Sequence, residues 1–338
     1  MLAIILAGGY AKRLWPITKD LAKPLLPLGR KRIIEYLIDK LVDIEEIDEI
    51  YISTNAFYEQ QFREWLKELP YGDIKLFIEK TLREEEKLGT IRALAMLFEN
   101  LPAEDYLVLA GDNLSSLDFR DFINEYYKRR AFMVAAYNIG DITKARHYGV
   151  LKVDNEGRVI SFVEKPSKPE SSLVATAYYA IPGEVAEKYH EYISLGLNAD
   201  APGRFIEWYH KRAPVYAYEF TGYWFDIGRI DSYMAAFRHV LEGSHISKKA
   251  VINDDVVIRH PVIIEDNAEI SNSVIGPYAH IGEKVIVQDS EVSHAVIFPE
   301  TKVHKAKIKE SLIGFSAVLR GISLRDSLIG AYTKLFSF

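Results

Sequence analysis

A chain of 338 residues is too long for one small core and predicts two domains, or one large domain with an appendage. Its hydrophobic content of 49% and charged content of 27% are those of an ordinary soluble globular protein, and a net charge of −6 leaves neither a basic footprint for nucleic acid nor a polybasic membrane patch. The absence of cysteine excludes disulfides, thiol catalysis and thiolate metal sites together.

At the N-terminus, Leu2–Leu6 is an apolar run that reads as a buried strand, with no secretory pattern ahead of it and no run of membrane-spanning length after it. The cytoplasm is therefore the expected compartment. Ile33–Val42 carries apolar residues at helical spacing, Ile50–Ser53 is a strand, and Tyr58–Leu69 a helix. Strands at Ile74–Ile78, Tyr106–Ala110 and Phe132–Tyr137 alternate with helices at Ile91–Phe98 and Leu117–Tyr127. That rhythm predicts an α/β domain, a Rossmann-like, mostly parallel sheet with helices on both faces. From Gly149 the pattern turns to a hairpin, Gly149–Val153 and Val159–Glu164 about the turn Asn155-Glu156-Gly157. Strands at Ala175–Ile181 and Val215–Phe220, and helices at Val185–Tyr192, Arg204–Lys211 and Ile230–Leu241, complete a first domain over 1–242.

The remainder has a different texture. Ile246, Ile252, Ile258, Ile264 and Ile270 fall at unbroken intervals of six, and after a slip near Ser271–Val274 the phase continues at Ile275, Ile281 and Val287. Looser repeats run on through Val303, Ile308, Ile313, Leu319, Leu324 and Ile329. A six-residue period predicts a parallel β-helix of hexapeptides over 246–338, about five turns of roughly eighteen residues. Antiparallel strands would alternate at period two instead. No catalytic histidine constellation is visible there; His280, His294 and His304 are scattered and read as surface residues. A stacked coil leaves open ends that need covering, so a homo-oligomer assembled through the β-helix is expected. Scarce glutamine against abundant Glu, Lys and Tyr predicts a thermophilic source.

The chemistry concentrates where the first strand ends, at Leu6-Ala7-Gly8-Gly9-Tyr10-Ala11-Lys12-Arg13-Leu14-Trp15-Pro16-Ile17-Thr18 and Lys23-Pro24. The turn after the first strand of an open α/β sheet is where phosphate-bearing ligands dock. Gly8 and Gly9 remove side chains there, and Arg13 and Lys23 add positive charge. Neither a P-loop nor a dinucleotide G-x-G-x-x-G is present. Asp112, in Gly111-Asp112-Asn113 at the end of a buried strand, and Asp226, in Gly222-Tyr223-Trp224-Phe225-Asp226-Ile227-Gly228, are candidate metal carboxylates, since Mg²⁺ needs one or two carboxylates beside substrate phosphates.

The first segment resembles the signature L-A-G-G-x-G-x-R-L-x-P-x-T…K-P of sugar-1-phosphate nucleotidyltransferases of the glucose-1-phosphate thymidylyltransferase and mannose-1-phosphate guanylyltransferase type, some of which carry a left-handed hexapeptide β-helix. Leu88-Gly89-Thr90, Tyr148-Gly149-Val150, Glu164-Lys165-Pro166 and the Asp226 segment resemble further motifs of that family. The resemblance implies an Mg²⁺-dependent enzyme joining an NTP to a sugar 1-phosphate, with glucose 1-phosphate and dTTP or UTP as first choice and mannose 1-phosphate with GTP as alternative. It implies Arg13 and Lys23 on the phosphates, and Leu6, Ala7, Gly8, Gly9, Gly89, Thr90 and Asp112 around the nucleotide. Gly149, Glu164, Lys165, Thr176 and Tyr179 fall on the sugar, and Asp112 and Asp226 on the metal. The chain departs from the family at Ala11 and Ala177, where glycine is usual, at Lys12 and Arg92, and at Ala175, where asparagine is usual. These departures motivate a rival expectation, a non-catalytic subunit that senses an NDP-sugar.

Overall fold

A computed structural model describes residues 1–72, 74–103 and 105–337. Phe338, the last residue of the expected β-helix domain, lies outside them. The strands of the first two thirds are β1 (Leu2–Leu6), β2 (Pro27–Leu28), β3 (Lys31–Arg32), β4 (Glu49–Asn55), β5 (Ile74–Glu79), β6 (Asp105–Ala110), β7 (Asn113–Ser115), β8 (Phe132–Asn138), β9 (Gly149–Val153), β10 (Val159–Glu164), β11 (Leu173–Pro182) and β12 (Val215–Phe220). The chain forms two compact units, Met1–Gly9 with Tyr36–Trp224, and Tyr10–Glu35 with Phe225–Phe338. They run along a different line from the expected 1–242 and 246–338 division, because the signature loop and the helix Ile230–Val240 group with the C-terminal coil.

The first unit is built on a mixed sheet in the order β10-β9-β11-β6-β1-β4-β5, with β8 on β11 and β12 on β8. Its parallel half is β6-β1-β4-β5, and β11 meets β6 antiparallel. Ala3, Ile4 and Ile5 of β1 are fully buried, as a strand covered on both faces requires. The register sets Leu6 beside Ser53 and Ala110, so β1 and β6 end level while β4 runs on to Asn55 at the same edge of the sheet. Backbone bonds carry the ladder onward: the Ala7 N–H donates to Ser53 O at 2.7 Å and the Gly111 N–H to Leu6 O at 3.0 Å. Opposite the sheet, Phe205 stacks on Tyr189 and Tyr209 at centroid distances of 3.9 and 5.4 Å. Asp118 caps the helix Phe119–Arg129 by accepting from the Arg120 N–H at 2.8 Å. No helix among the described residues is long and apolar enough to cross a membrane.

The second unit contains an all-parallel coil of short strands from His245 to Phe336, the expected left-handed β-helix. Its period corrects the sequence expectation. Ile252 pairs with Ile270, eighteen residues on, and Ile258 with Ile275, seventeen on. From Ile281, paired with Ile297, each coil takes sixteen residues: Val287 pairs with Val303, Val303 with Leu319, and Leu319 with Leu335. The looser repeats are thus a strict 6-5-5 pattern rather than drifting hexads. Left-handed residues mark the corners at the same steps, among them Lys284 (φ 56°), Asp289 (50°), His294 (46°) and Glu300 (61°). Inside, buried serines bridge successive coils: the Ser290 N–H donates to Ser273 Oγ and the Ala306 N–H to Ser290 Oγ, both at 3.0 Å. His280 is not a surface residue; it is 3% exposed, lies parallel to Phe237 and joins Glu265 through Nε2 at 2.7 Å.

Both family glycine positions that hold alanine keep glycine-like backbone: Ala11 has φ 47° and Ala177 φ 59°, the latter at a register shift in β11. An L-residue in this region is disfavoured by about 1–2 kcal/mol. Ala177→Gly is expected to stabilise the protein by about 1 kcal/mol in denaturant unfolding, net of the added freedom of the unfolded chain. A loss of stability on that substitution would contradict the strain.

Candidate active site

In the first unit, Leu6 and the turn Ala7-Gly8-Gly9 extend from β1. Gly8 lies against Thr54 and Asn55, whose carboxamide donates to Gly8 O at 2.8 Å, while Gly9 has nothing near its Cα face. Gly89 is dictated by geometry twice over. Its φ is +83°, and a Cβ would lie 2.7 Å from Ala199 O. The same carbonyl accepts from the Ile91 N–H at 3.0 Å, and the Thr90 hydroxyl donates to Asp200 O at 3.2 Å. The Leu-Gly-Thr segment therefore seats the start of helix Thr90–Asn100 on the 199–200 turn.

Glu164 is the most constrained of the predicted sugar residues. It pairs with Gly149 across β10 and β9 and is 8% exposed. A Cβ on Gly149 would stand 3.0 Å from its Oε2, and a Cβ on Gly203 would fall on the same oxygen. Two glycine backbones thus make room for one carboxylate. Burial pushes the Glu164 carboxyl up, against the pull of Lys165, whose Nζ lies 3.7 Å away, and of Arg204. Lys165 takes a left-handed backbone (φ 50°) and donates its N–H to Tyr148 O at 3.0 Å. Thr176 is fully buried, and its hydroxyl donates to Ala135 O at 2.9 Å, which ties β11 to β8. Tyr179 is 3% exposed in the core, its hydroxyl pushed up first by burial and then by Glu164. Of the five, Gly149, Glu164 and Lys165 come together, and Thr176 and Tyr179 are buried in β11. Gly203 was not foreseen; its only sequence signal is the Pro202-Gly203 pair that opens a helix.

Asp112, partly exposed, sits between β6 and β7, and its Oδ1 accepts from the Asn113 carboxamide at 2.8 Å. In the second unit, the loop after Tyr10 is closed by the Thr18 hydroxyl on Ala11 O at 2.9 Å and the Trp15 indole on Tyr10 O at 3.1 Å. Lys12 lies 5.6 Å from the centre of the Trp15 ring. Lys23 is buried at the start of a 3-10 turn. Asp226 opens a tight turn in which the Gly228 N–H donates to Asp226 O at 2.9 Å. The guanidinium of Arg13 rests on Gly228, where a Cβ would stand 2.7 Å from Nη2. The signature arginine and the turn of the second carboxylate motif are therefore neighbours.

Among the described residues no three His, Cys, Asp or Glu side chains converge as a metal cage. Asp112 in the first unit and Asp226 in the second each carry hard carboxylate oxygens, the donor type that Mg²⁺ takes beside water and substrate phosphates.

A raised carboxyl carries a sign for stability. The contribution of Glu164 is present while it is protonated, below the ordinary carboxylate range, and is lost as pH rises through its elevated pKa. Glu164→Gln is thus expected to raise the thermal midpoint at pH 7, with the advantage shrinking towards pH 4, while impairing turnover. A variant that is less stable than the parent at pH 7 would contradict this.

The Nucleotidyl transferase family profile matches residues 2–243. The chain is 27% identical over 333 residues to the bifunctional protein GlmU of Methanocaldococcus jannaschii, covering 92% of this chain and 77% of the relative. It is 26% identical over 367 residues to the glucose-1-phosphate adenylyltransferase small subunit of Triticum aestivum, with the same coverage of both chains. A solved Bacillus anthracis protein described as a glucose-1-phosphate thymidylyltransferase, in complex with a sucrose, superposes with a TM-score of 0.62 at 26% identity, over 73% of this chain and 98% of its own. With the motif residues placed as above, the chain belongs to the nucleotidyl transferase family, in the sugar-1-phosphate nucleotidyltransferase group that its motifs resemble.

Proposed function

We propose that this protein is an active enzyme that joins a nucleoside triphosphate to a sugar 1-phosphate, with glucose 1-phosphate and dTTP or UTP as its substrates. A phosphate oxygen of the sugar 1-phosphate attacks the α-phosphorus, the bond from that phosphorus to the bridging oxygen of the β-phosphate breaks, and pyrophosphate leaves with the bonding electrons. No protein nucleophile is needed, since the sugar phosphate is already ionised at neutral pH. The chain's part is positioning and charge neutralisation.

Arg13 grips the triphosphate with its planar fork, and Lys23 stands as a point charge for the α-phosphate. Leu6 to Gly9, Gly89 and Thr90 hold the nucleoside. Glu164 accepts from sugar hydroxyls, Gly149 gives its backbone a close approach, and Lys165 faces the sugar phosphate. Thr176 and Tyr179, both buried in β11, are the other positions assigned to the sugar. Mg²⁺ held by Asp112 and Asp226 would neutralise charge on the phosphates. The observation that carries this reading is the Arg13 guanidinium seated on the Gly228 turn of the Asp226 motif. It favours an enzyme over an NDP-sugar sensor, which has no need to bring a phosphate cation to a metal carboxylate motif.

The test is pyrophosphate release from a matrix of NTPs and sugar 1-phosphates with Mg²⁺, assayed across temperature. Turnover is expected, highest with glucose 1-phosphate and dTTP or UTP; none with any pair would overturn the enzyme reading. In the same assay, Gly228→Ala pushes the flexible Arg13 head aside and should lower kcat/KM roughly 10- to 100-fold, the worth of a charge-assisted hydrogen bond, with little change in thermal midpoint.

Assembly through the coil is part of the same proposal. Val251 and Val257 on its first turn are 57% and 52% exposed, which supports contact with a second copy. Light scattering on the full chain should give a mass above that of one protomer, and a monomer at every concentration would refute it.

A further inference from the structure

Asn113 is 5% exposed and joins two groups whose hydrogen-bonding needs are opposite. The indole N–H of Trp224, which can only donate, reaches Asn113 Oδ1 at 2.6 Å. On the other side Asn113 Nδ2 donates to Asp112 Oδ1 at 2.8 Å. The amide has one workable orientation, because a flip would set NH₂ against N–H and an oxygen against a carboxylate. Only a side chain carrying both a donor and an acceptor can bridge a tryptophan to an ionised carboxylate.

Trp224 is itself held fast. The ring of Tyr148 meets it edge-on at 5.0 Å and 63°, and Tyr137 lies at 6.1 Å. The strand end before it is clamped: Ser116 Oγ donates to Thr221 O at 2.7 Å and accepts from the Tyr223 N–H at 3.0 Å, and the Tyr137 hydroxyl donates to Gly222 O at 2.8 Å. A rigid indole therefore fixes an amide, and the amide fixes one oxygen of Asp112.

The geometry points to Asn113 and Trp224 as positioning residues that set the affinity of the Asp112 carboxylate for a divalent cation. This rests on the reading of Asp112 as a cation ligand. A carboxylate left to rotate must be ordered by the cation it binds, whereas here the partner amide orders it in advance. Hydrogen-bond partners of metal-ligating groups are worth about 10- to 100-fold in metal affinity. The tryptophan of the Gly-Tyr-Trp-Phe-Asp segment thereby gains a role apart from the aspartate two residues on.

The experiment uses the full chain and Mn²⁺ as probe, with free Mn²⁺ counted by electron paramagnetic resonance in the presence of pyrophosphate. Asn113→Ala should weaken Mn²⁺ binding about 10- to 100-fold. Trp224→Phe keeps an aromatic ring and removes the N–H; it should weaken binding in the same direction with a near-parental thermal midpoint. Asp112→Asn should weaken it at least as much. If Asp112→Asn binds like the parent, the reading of Asp112 falls. If Asp112→Asn loses affinity while Trp224→Phe and Asn113→Ala keep it, the relay falls and Asp112 stands. A merely structural amide would lower the thermal midpoint and leave the affinity unmoved. Should Asn113→Ala fail to fold, Trp224→Phe still decides.

Discussion

The arrangement of the first unit depends on β1 having a parallel neighbour on each side. A strand covered on both faces and paired on both edges must be apolar throughout, and Leu2–Leu6 is. Because its partners are parallel, β1, β4 and β6 end on the same edge, and the turns leaving them emerge in one row. Gly8 lies just past β1, Asn55 closes β4, and Asp112 lies just past β6. Two backbone bonds, Ala7 to Ser53 and Gly111 to Leu6, extend the ladder one residue past β1 and β6 and hold these strand ends in register. Polar residues at a strand's C-terminal end need not join the apolar core, so the candidate site residues of this unit can gather there.

Close approach is the second constraint. Gly149 and Gly203 admit the Glu164 carboxylate, Gly89 admits Ala199 O, and Gly228 admits the Arg13 guanidinium. At each, a Cβ would collide with a side-chain or backbone atom within the same unit. At Ala11 and Ala177, by contrast, the left-handed backbone persists without glycine. The departures that suggested a degenerate site therefore keep a left-handed backbone at both positions.

Strand and helix periodicity was legible wherever burial alone decides it. The helices at Ile33–Leu41, Glu59–Leu66 and Thr90–Asn100 lie within a few residues of their predicted limits. The 6-5-5 coil was only half legible, since dropping a residue at two corners of three leaves the aliphatic spacing looking irregular until the pairing is known. His280 misled because a histidine in an apolar run carries no mark of the Glu265 partner fifteen residues earlier. The partner of Thr176 was hidden for a similar reason: its hydroxyl finds Ala135 O on a neighbouring strand, a contact no local pattern announces. Asn113 was in plain view beside Asp112, but its value depends on Trp224, 111 residues away. Motif residues were thus readable singly, and their partners were not.

The proposed reaction is attack of a sugar-phosphate oxygen on the α-phosphorus of a nucleoside triphosphate. The most direct measurement supplies glucose 1-phosphate bearing ¹⁸O in its non-bridging phosphoryl oxygens and traces the label by ³¹P nuclear magnetic resonance. ¹⁸O is expected in the bridge between the two phosphorus atoms of the NDP-sugar and none in the pyrophosphate released. Label in pyrophosphate, or an unlabelled bridge, would contradict this reaction.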